Sequence, residues 1–260
     1  MTALLLPTTF DRSAWIIPGE AILGRYTFIA QMAEGRIGAI LRVSDASHCE
    51  RAVKTIKPAI RITSTPEQLS TLMAVMAREA GLQAAFHHPN IIGVLECSLD
   101  PHLGVCTVME YAPLGNLRQR ISQGCLDIAQ SMQILDSLLS ALIQMHTPSS
   151  LHPLGVAHLD MEPKNIVFGV GEVPKICDFH YARRIMPEFA PADWIDANHP
   201  IDVRTDLLQV GRIFMEMISS RSPETFPKPL EGFINKLTAS DPRQRFQSAT
   251  EARQALEGIR

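Results

Sequence analysis

The sequence predicts an α+β fold in which a β-rich N-terminal half precedes a mainly helical C-terminal half. Between Arg25 and Tyr111, short apolar runs are separated by turns that contain glycine, a pattern typical of strands. From residue 113 onward, apolar residues recur at helical spacing over long segments. The composition is 46% hydrophobic and 20% charged over 260 residues, which suits one large domain or two lobes.

Composition excludes several classes of protein. The net charge of −3 provides no positive field to hold nucleic acid. No apolar run approaches the roughly 20 residues needed to span a bilayer, and the opening "MTALLLPTTF" lacks the basic start of a signal peptide. The five cysteines form no CxxC pair, which favours reduced thiols over a zinc site or disulfides. We therefore expect a soluble cytoplasmic protein without a nucleic-acid or membrane partner.

The strands of the first half enclose one predicted helix. The runs "RYTFIAQMAEGRIGAILRVSD" and "ERAVKTIK" predict three strands, with the glycines of "AEGRIG" in a hairpin. "STPEQLSTLMAVMAREAGLQAAF" predicts a helix with Ser64 or Thr65 as its N-cap. "IIGVLECSL" and "VCTVMEYA" predict two further strands.

The second half contains two polar segments among predicted helices. "LDIAQSMQILDSLLSALIQMH", "TDLLQVGRIFMEMI", "LEGFINKLT" and "SATEARQALEGI" predict helices. Between the first and the second lie "AHLDMEPKNIVF" and "VPKICDFHYAR", in which polar residues interrupt apolar runs. These segments are either ordinary loops joining core elements or the parts of a phosphoryl-transfer site.

The order of these segments resembles that of the protein kinase family. A glycine-bearing hairpin is followed by Lys54 in "AVK", by a helical Glu79, by "VMEYAPLGNL", and then by "HLDMEPKN" and "DF". The resemblance, to eukaryotic-type Ser/Thr kinases, runs from about Arg25 to the C-terminus. It implies a bilobal protein-kinase-like fold with an N-terminal extension at 1–24, a β-rich N-lobe at 25–112 and a mainly helical C-lobe at 113–260.

The resemblance implies ATP and Mg²⁺ as ligands. Backbone amides around Gly35 and Gly38 would approach the triphosphate, Lys54 would contact its phosphates, and Glu79 would form an ion pair with Lys54. Alone, each would be an ordinary hairpin or a solvated side chain. The adenine pocket implied by the resemblance comprises Ile40, Ala52, Met109, Glu110, Ala112 and Val167.

The polar segment of the second half resembles a kinase catalytic loop. Asp160 matches the aspartate that orients the acceptor hydroxyl and accepts its proton. Asn165, five residues on, and Asp178 in "CDFH" match the two Mg²⁺ ligands, and both offer oxygen atoms to a hard cation. His158 is expected to support the backbone. "DVRTDLLQVGRIFMEM" and "DPRQRF" resemble late segments that separate protein kinases from relatives acting on small molecules.

Several residues depart from the kinase pattern. Ala33 replaces the first loop glycine, Leu159 the usual arginine, Glu162 the catalytic-loop lysine, and His180 the glycine of DFG. Lys164, two residues past Glu162, is expected to supply the displaced positive charge.

The activation segment also departs from the pattern in length. Its end is matched only by "FAPAD", with Pro191 and Ala192, so the segment is short. Regulation by its phosphorylation is therefore not expected. Glu188 or Asp193 would have to replace the usual glutamate partner of Arg245.

Three functions remain open from the sequence. The favoured one is an ATP-dependent protein kinase that phosphorylates serine or threonine of an unidentified protein substrate. Retention of Lys54, Glu79, Asp160, Asn165 and Asp178 favours it, because a chain without catalytic selection would lose some of them. The second is a pseudokinase acting as a nucleotide-binding scaffold or allosteric partner of a regulatory protein, and the third is a small-molecule kinase. The simplified regulatory parts also suit a secreted effector acting in a host cytosol.

Overall fold

A computed structural model describes residues 18–124, 126–185, 202–219 and 227–259. Most of the expected N-terminal extension and the "FAPAD" segment, with Glu188 and Asp193, lie outside the described residues. The chain divides into two compact units. The first contains the described residues up to Gly81 together with Val94–Tyr111, and the second contains Leu82–Gly93 and the described residues from Ala112 onward.

The first unit is built on an antiparallel sheet. Its strands, among the described residues, are β1 (Ala21–Ile22), β2 (Tyr26–Glu34), β3 (Gly38–Ser44), β4 (Glu50–Ile56), β5 (Val94–Asp100) and β6 (Gly104–Glu110). They are hydrogen-bonded in the order β1-β2-β3-β4-β6-β5. The sheet thus includes β1, which falls within the segment assigned from sequence to the N-terminal extension.

Alternating side chains of β3, β4 and β6 form the core of the sheet. Leu41, Val53 and Val108 are fully buried in one cluster because strand residues of the same parity point to the same face. Two helices complete this unit, α1 (Pro58–Thr63) and the first part of α2 (Pro66–Ala84). Met76 of α2 packs with Ile56 and Val105 in a second cluster. Of the two N-cap candidates for α2, Thr65 is the one that forms reciprocal bonds with Gln68.

The second unit is mainly helical. Its helices, in the part of the chain that the structure describes, are α3 (Leu117–Gln123), α4 (Ile128–His146), α5 (Val203–Ile218), α6 (Lys228–Thr238) and α7 (Ala249–Glu257). Helix α4 is central, with Leu135, Leu138 and Leu142 inaccessible to solvent. Helices α5 and α6 approach closely at Gly211, where a Cβ atom would lie 2.8 Å from Cγ2 of Thr238.

Two short ladders in this unit carry the polar segments. Strand β8 (Ile166–Phe168) pairs with β9 (Pro174–Ile176), and β7 (Val156–Ala157) pairs with β10 (Arg183–Arg184). Strand β7 leads directly into the "HLDMEPKN" loop, and β9 leads into "CDFH". The α+β expectation, with strands first and helices second, is confirmed.

Three of the short elements were not predicted from the sequence. Helices α1 and α3 have only 6 and 7 residues, too few to show a helical period, and β1 has two. None of the helices among the described residues is long and apolar enough to cross a membrane.

Gly155 provides a test of the tight turn before β7. Its φ is +85°, and a Cβ atom would lie 2.4 Å from the His146 carbonyl oxygen. Gly155→Ala is expected to lower the free energy of unfolding by about 3–5 kcal/mol, because backbone strain adds to an overlap with main-chain atoms. Urea denaturation measures this change.

The matched control is Gly171→Ala. Gly171 also has a positive φ, +75°, but its Cβ would meet nothing within 4 Å. Gly171→Ala should therefore lower the free energy of unfolding only by the cost of placing alanine at a positive φ, about 1–2 kcal/mol. Equal losses in the two variants would contradict the packing account of Gly155.

Candidate active site

An ion pair joins β4 to α2 within the first unit. The Lys54 ammonium lies 2.5 Å from a carboxylate oxygen of Glu79. Both side chains are largely shielded from water, with 18% and 6% of their surfaces exposed, so the pair is less screened than a surface salt bridge. The two residues predicted to form an ion pair are therefore brought together across 25 positions of sequence.

Four of the predicted nucleotide residues share one face of the sheet. Ile40 lies opposite Lys54 in the β3–β4 ladder, and Ala52 lies opposite Met109 in the β4–β6 ladder. Residues paired directly across antiparallel strands point to the same face, and Ala52 and Lys54 have the same parity. These four side chains therefore face away from the core formed by Leu41, Val53 and Val108.

The remaining predicted adenine residues are the last residue of β6 and two residues of the second unit. Glu110 ends β6, and Ala112 is the first residue of the second stretch of chain that belongs to the second unit. Val167 is the middle residue of β8 and is half-buried, with its main chain bridged to Asn116. Their assignment to a nucleotide pocket remains a prediction.

The two hairpin glycines differ in what the fold requires of them. At Gly38 a Cβ atom would lie 3.0 Å from the Thr55 carbonyl oxygen, so close backbone packing favours glycine. At Gly35 a Cβ atom would meet only the Gly38 oxygen at an ordinary 3.6 Å. Packing of the chain therefore does not explain glycine at position 35, which leaves room for an approaching ligand as a reason.

The Gly35 amide is already used within the hairpin. Its N–H donates to the Gly38 carbonyl at 2.8 Å. The amides of Arg36 and Ile37 make no hydrogen bond to any other described part of the chain. The expectation that amides face the triphosphate thus fits the two residues between the glycines better than Gly35 itself.

In the second unit, Asn165 is bonded directly to Asp160. The Asn165 amide nitrogen donates to both the main-chain oxygen and the carboxylate of Asp160, each at 2.9 Å. A 3₁₀ turn at Pro163–Asn165 brings the two together. Since the nitrogen of Asn165 is engaged, its side-chain oxygen is the atom left to bind a ligand.

Asp178 is tied to the same loop through the backbone. The main-chain N–H of Cys177 donates to the Asn165 carbonyl at 2.9 Å, extending the β8–β9 ladder by one residue. Asp178 itself has φ of +65°, a conformation that aspartate tolerates better than most residues. The predicted catalytic and metal residues Asp160, Asn165 and Asp178 therefore belong to one connected segment.

The buried carboxylate of Asp206 anchors the "HLDMEPKN" loop, the predicted catalytic loop. Asp206, on the first turn of α5, is fully buried. One of its oxygens accepts the main-chain N–H of His158 and the ring Nε2 of His146, both at 2.8 Å, and the other accepts the Leu159 N–H at 2.7 Å. Three donors to one carboxylate fix the backbone immediately before Asp160.

Gln209, one turn along α5, extends this attachment. Its side-chain oxygen accepts the Met161 N–H at 3.0 Å, and its nitrogen donates to the Leu159 carbonyl at 2.9 Å. Leu159 has φ of +67°, which is unfavourable for a leucine and is stabilised by these bonds. The sequence motif "DVRTDLLQVGRIFMEM" contains both residues but did not indicate these bonds, although the i, i+3 spacing of Asp206 and Gln209 places them on one face of α5.

His158 is a buried residue that bonds the backbone on both sides of the loop. Complete burial lowers the pKa of its imidazole, so the neutral form is favoured. Nδ1 accepts the Asp160 N–H at 3.3 Å, which places the ring proton on Nε2, 3.2 Å from the Cys177 carbonyl oxygen. His158 thus connects the Asp160 segment to the residue before Asp178.

Lys164 and Glu162 form an ion pair beside Asp160. The Lys164 ammonium lies 2.5 Å from a Glu162 oxygen, and the lysine side chain is 59% exposed. The pKa of Asp160 is raised, first by burial and then by the negative charge of Glu162. The pKa of Lys164 is raised by its bond to Glu162, with smaller contributions from Asp160 and Asp178.

Arg245, expected to require a carboxylate partner, is bonded to main-chain oxygens instead. Its guanidinium donates to the carbonyls of Ala239 at 2.7 Å, Ser240 at 2.9 Å and Arg204 at 3.2 Å. Burial lowers its pKa. The candidates Glu188 and Asp193 lie outside the described residues.

A family comparison identifies the fold that carries these residues. The profile described as "Protein kinase domain" matches residues 26–223. The chain belongs to the protein kinase domain family. The bilobal protein-kinase-like fold predicted from the sequence is confirmed, as is the resemblance to eukaryotic-type Ser/Thr kinases.

Curated relatives are similar over most of this chain. Serine/threonine-protein kinase 36 of Pongo abelii is 26% identical over 255 residues, which cover 85% of this chain and 18% of that protein. Serine/threonine-protein kinase par-4 of Caenorhabditis elegans is 26% identical over 249 residues, 87% of this chain and 38% of that protein. Probable serine/threonine-protein kinase PknB of Lactococcus lactis is 22% identical over 272 residues, which cover 90% of this chain and 42% of that protein. The chain spans less than half the length of each of these relatives.

Replacement of Asp206 tests whether its carboxylate holds the catalytic loop. Asp206→Asn keeps the size of the side chain but replaces one accepting oxygen by an NH₂ group facing N–H donors. We expect the free energy of unfolding to fall by about 2–5 kcal/mol, because buried bonds to a charged acceptor are lost. Chemical denaturation measures the loss.

Asp202→Asn is the control for Asp206→Asn. Asp202 caps the same helix through a bond to the Arg204 amide at 2.7 Å, and asparagine is an equally good N-cap. Its effect should stay below about 1 kcal/mol. Similar stability of Asp206→Asn and the wild type would contradict the anchoring role.

Proposed function

We propose that this protein is an active kinase that transfers the γ-phosphate of ATP to serine or threonine hydroxyls of a protein substrate. The observation that carries the proposal is the bonded pair of Asp160 and Asn165, with the Asn165 main chain bonded to the residue before Asp178. This arrangement presents a base and two oxygen ligands in one segment. The five side chains expected of an active kinase are all present in the sequence: Lys54, Glu79, Asp160, Asn165 and Asp178.

The chemistry assigned to Asp160 is proton acceptance from the acceptor hydroxyl. The hydroxyl oxygen forms a bond to the γ-phosphorus while the bond from phosphorus to the β–γ bridging oxygen breaks and ADP leaves with that electron pair. The hydroxyl proton passes to the Asp160 carboxylate. The Asn165 amide holds that carboxylate in place through its 2.9 Å bond.

The residues present fit Mg²⁺. Asn165 has its nitrogen engaged and its oxygen available, and Asp178 supplies a carboxylate, which together make an all-oxygen donor set. Clusters of three or more His, Cys, Asp or Glu side chains suited to a metal are absent from the described residues. Proteins bind Mg²⁺ through one or two carboxylates plus phosphate oxygens and water. When bound, Mg²⁺ would neutralise part of the negative charge of the phosphates.

In the first unit, Lys54 is the residue proposed to contact the phosphates of the nucleotide. Its ammonium is held by Glu79, which limits the rotamers available to a long side chain. The face shared by Ile40, Ala52 and Met109 supplies an apolar surface for a base. Preference for serine or threonine rests on the names of the curated relatives.

A second function, nucleotide-binding pseudokinase, is favoured by one observation. Lys164 is engaged by Glu162, so its charge is partly neutralised by a residue that replaces the usual lysine. Under this alternative the chain binds ATP and regulates a partner protein without transferring phosphate. The third possibility, a small-molecule kinase, draws no support from the curated relatives named above.

Asp160→Asn tests the proposed activity. We expect phosphoryl transfer to fall by about 10²–10⁴-fold, because the amide cannot accept the hydroxyl proton. ATP affinity should change by less than about twofold, since Asp160 acts on the acceptor. Transfer is followed as label from γ-labelled ATP on a generic basic protein, and affinity by calorimetry. Wild-type binding of ATP without any transfer would favour the pseudokinase.

A charge exchange tests the role of Lys164. Lys164→Glu alone should reduce transfer by at least about tenfold, because the only cation of the Glu162–Lys164 pair is removed beside developing negative charge. The double variant Glu162→Lys with Lys164→Glu should restore most of that loss, since the pair is kept with its order reversed. A Lys164→Glu variant as fast as the wild type would show that the charge of this pair is not used in catalysis, and a double variant as slow as the single one would show that the cation must stand at position 164.

A further inference from the structure

Lys57 is bonded three times to the turn of the glycine hairpin. It follows β4 and precedes α1. Its ammonium donates to the Gly35 carbonyl and to a Glu34 carboxylate oxygen, each at 3.0 Å, and its main-chain N–H donates to the Ile37 carbonyl at 3.0 Å. One residue therefore contacts the beginning and the end of the turn.

The backbone of Lys57 is well fixed for this contact. The β3–β4 ladder pairs Gly38 with Ile56, so Lys57 continues a paired strand. Pro58 follows, and a residue before proline favours extended backbone, which Lys57 adopts with φ −67° and ψ 149°. Its side chain is only 20% exposed. Within the turn between β2 and β3, one backbone bond runs from the Gly35 N–H to the Gly38 carbonyl at 2.8 Å, and Lys57 adds bonds from outside the turn.

The bond to Gly35 sets the direction of a peptide group. In a trans peptide, the carbonyl and the following N–H point in opposite directions. With the Gly35 oxygen held by the Lys57 ammonium, the Arg36 N–H points away from Lys57. The Gly35 N–H is occupied by Gly38, so the amides without a bond in the described part of the turn belong to Arg36 and Ile37. Successive amides of this kind bind anions.

We infer that Lys57 is a positioning residue of the nucleotide site, whose ammonium fixes the Gly35–Arg36 peptide so that the hairpin amides are held ready for the triphosphate. The inference rests on the proposed function in taking ATP as the ligand. Ordering a flexible loop on binding reduces affinity, and a bond already formed in the free protein removes part of that cost. Lys57 thereby acts on phosphate binding without touching the phosphates.

Glu34 keeps the lysine near the turn but does not orient the peptide. The ion pair with Lys57 lowers the pKa of Glu34. The Glu34 side chain is 50% exposed, so this pair is screened by water and salt. The bond from Lys57 to the Gly35 carbonyl is the contact that sets the direction of the Arg36 amide. Replacement of Lys57 should therefore change ATP affinity more than replacement of Glu34.

Lys57→Met tests the inference, since methionine keeps an unbranched chain of similar length and removes the donor. We expect the affinity for ATP to fall by about 3–10-fold, the loss of one charge-assisted bond at a partly exposed site. The affinity for adenosine should be unchanged, because adenosine has no phosphate. The KM for ATP should rise by the same factor as the affinity falls, with kcat within about twofold. Calorimetry and initial rates provide these values.

Three control variants separate positioning from folding. Glu34→Gln keeps the Lys57–Gly35 bond, so its ATP affinity should stay within about twofold of the wild type. Lys57→Arg keeps a cationic donor and should recover part of the loss caused by Lys57→Met. Lys236→Met breaks an exposed pair with Glu251 in the other unit and should leave ATP affinity unchanged.

The outcomes distinguish this inference from the proposed function. Weaker ATP binding by Lys57→Met with normal adenosine binding supports the positioning role, even if the wild type transfers no phosphate and the proposed activity fails. Equal losses for ATP and adenosine overturn it, because they indicate a general defect of the first unit. Unchanged ATP affinity in Lys57→Met also overturns it, as does the absence of ATP binding by the wild type.

Discussion

The carboxylate of Asp206 is the constraint on which the catalytic segment depends. Buried charge is costly unless donors surround it, and here three N–H groups do so. Two of these N–H groups belong to the loop backbone at His158 and Leu159. The bonds that satisfy the buried carboxylate therefore also fix the position of the loop. The unfavourable φ of Leu159 persists because these bonds, with those of Gln209, determine it from both sides.

Short hydrogen-bonded links connect this anchored loop to the predicted reactive groups of Asp160 and Asp178. His158 joins the loop to the main chain before Asp178, and Asn165 joins Asp160 to that same strand. Burial raises the pKa of Asp160, the negative charge of Glu162 raises it further, and the Asn165 bond and the charge of Lys164 oppose this rise.

Much of this site could be predicted from the sequence, and the remainder could not, for a physical reason. The Lys54–Glu79 pair was predicted because the resemblance gives both positions. Apolar periodicity predicted the longer strands β2 to β6 and the helices α2, α4, α5, α6 and α7, but not the short elements α1, α3 and β1. The roles of Asp206 and Lys57 were missed because their partners are set by tertiary contact: Asp206 bonds a loop 47 and 48 residues earlier, and Lys57 bonds a turn 22 residues earlier. Neither type of partner leaves a local pattern in the sequence.

The central claim is that the chain performs phosphoryl transfer rather than nucleotide binding alone. The most direct measurement compares purified protein incubated with Mg²⁺ and a basic protein substrate in the presence of either γ-labelled or α-labelled ATP. The account predicts label on serine or threonine of the substrate from γ-labelled ATP only. Saturable ATP binding with no label from either nucleotide would contradict it and leave a kinase fold that binds ATP without turnover.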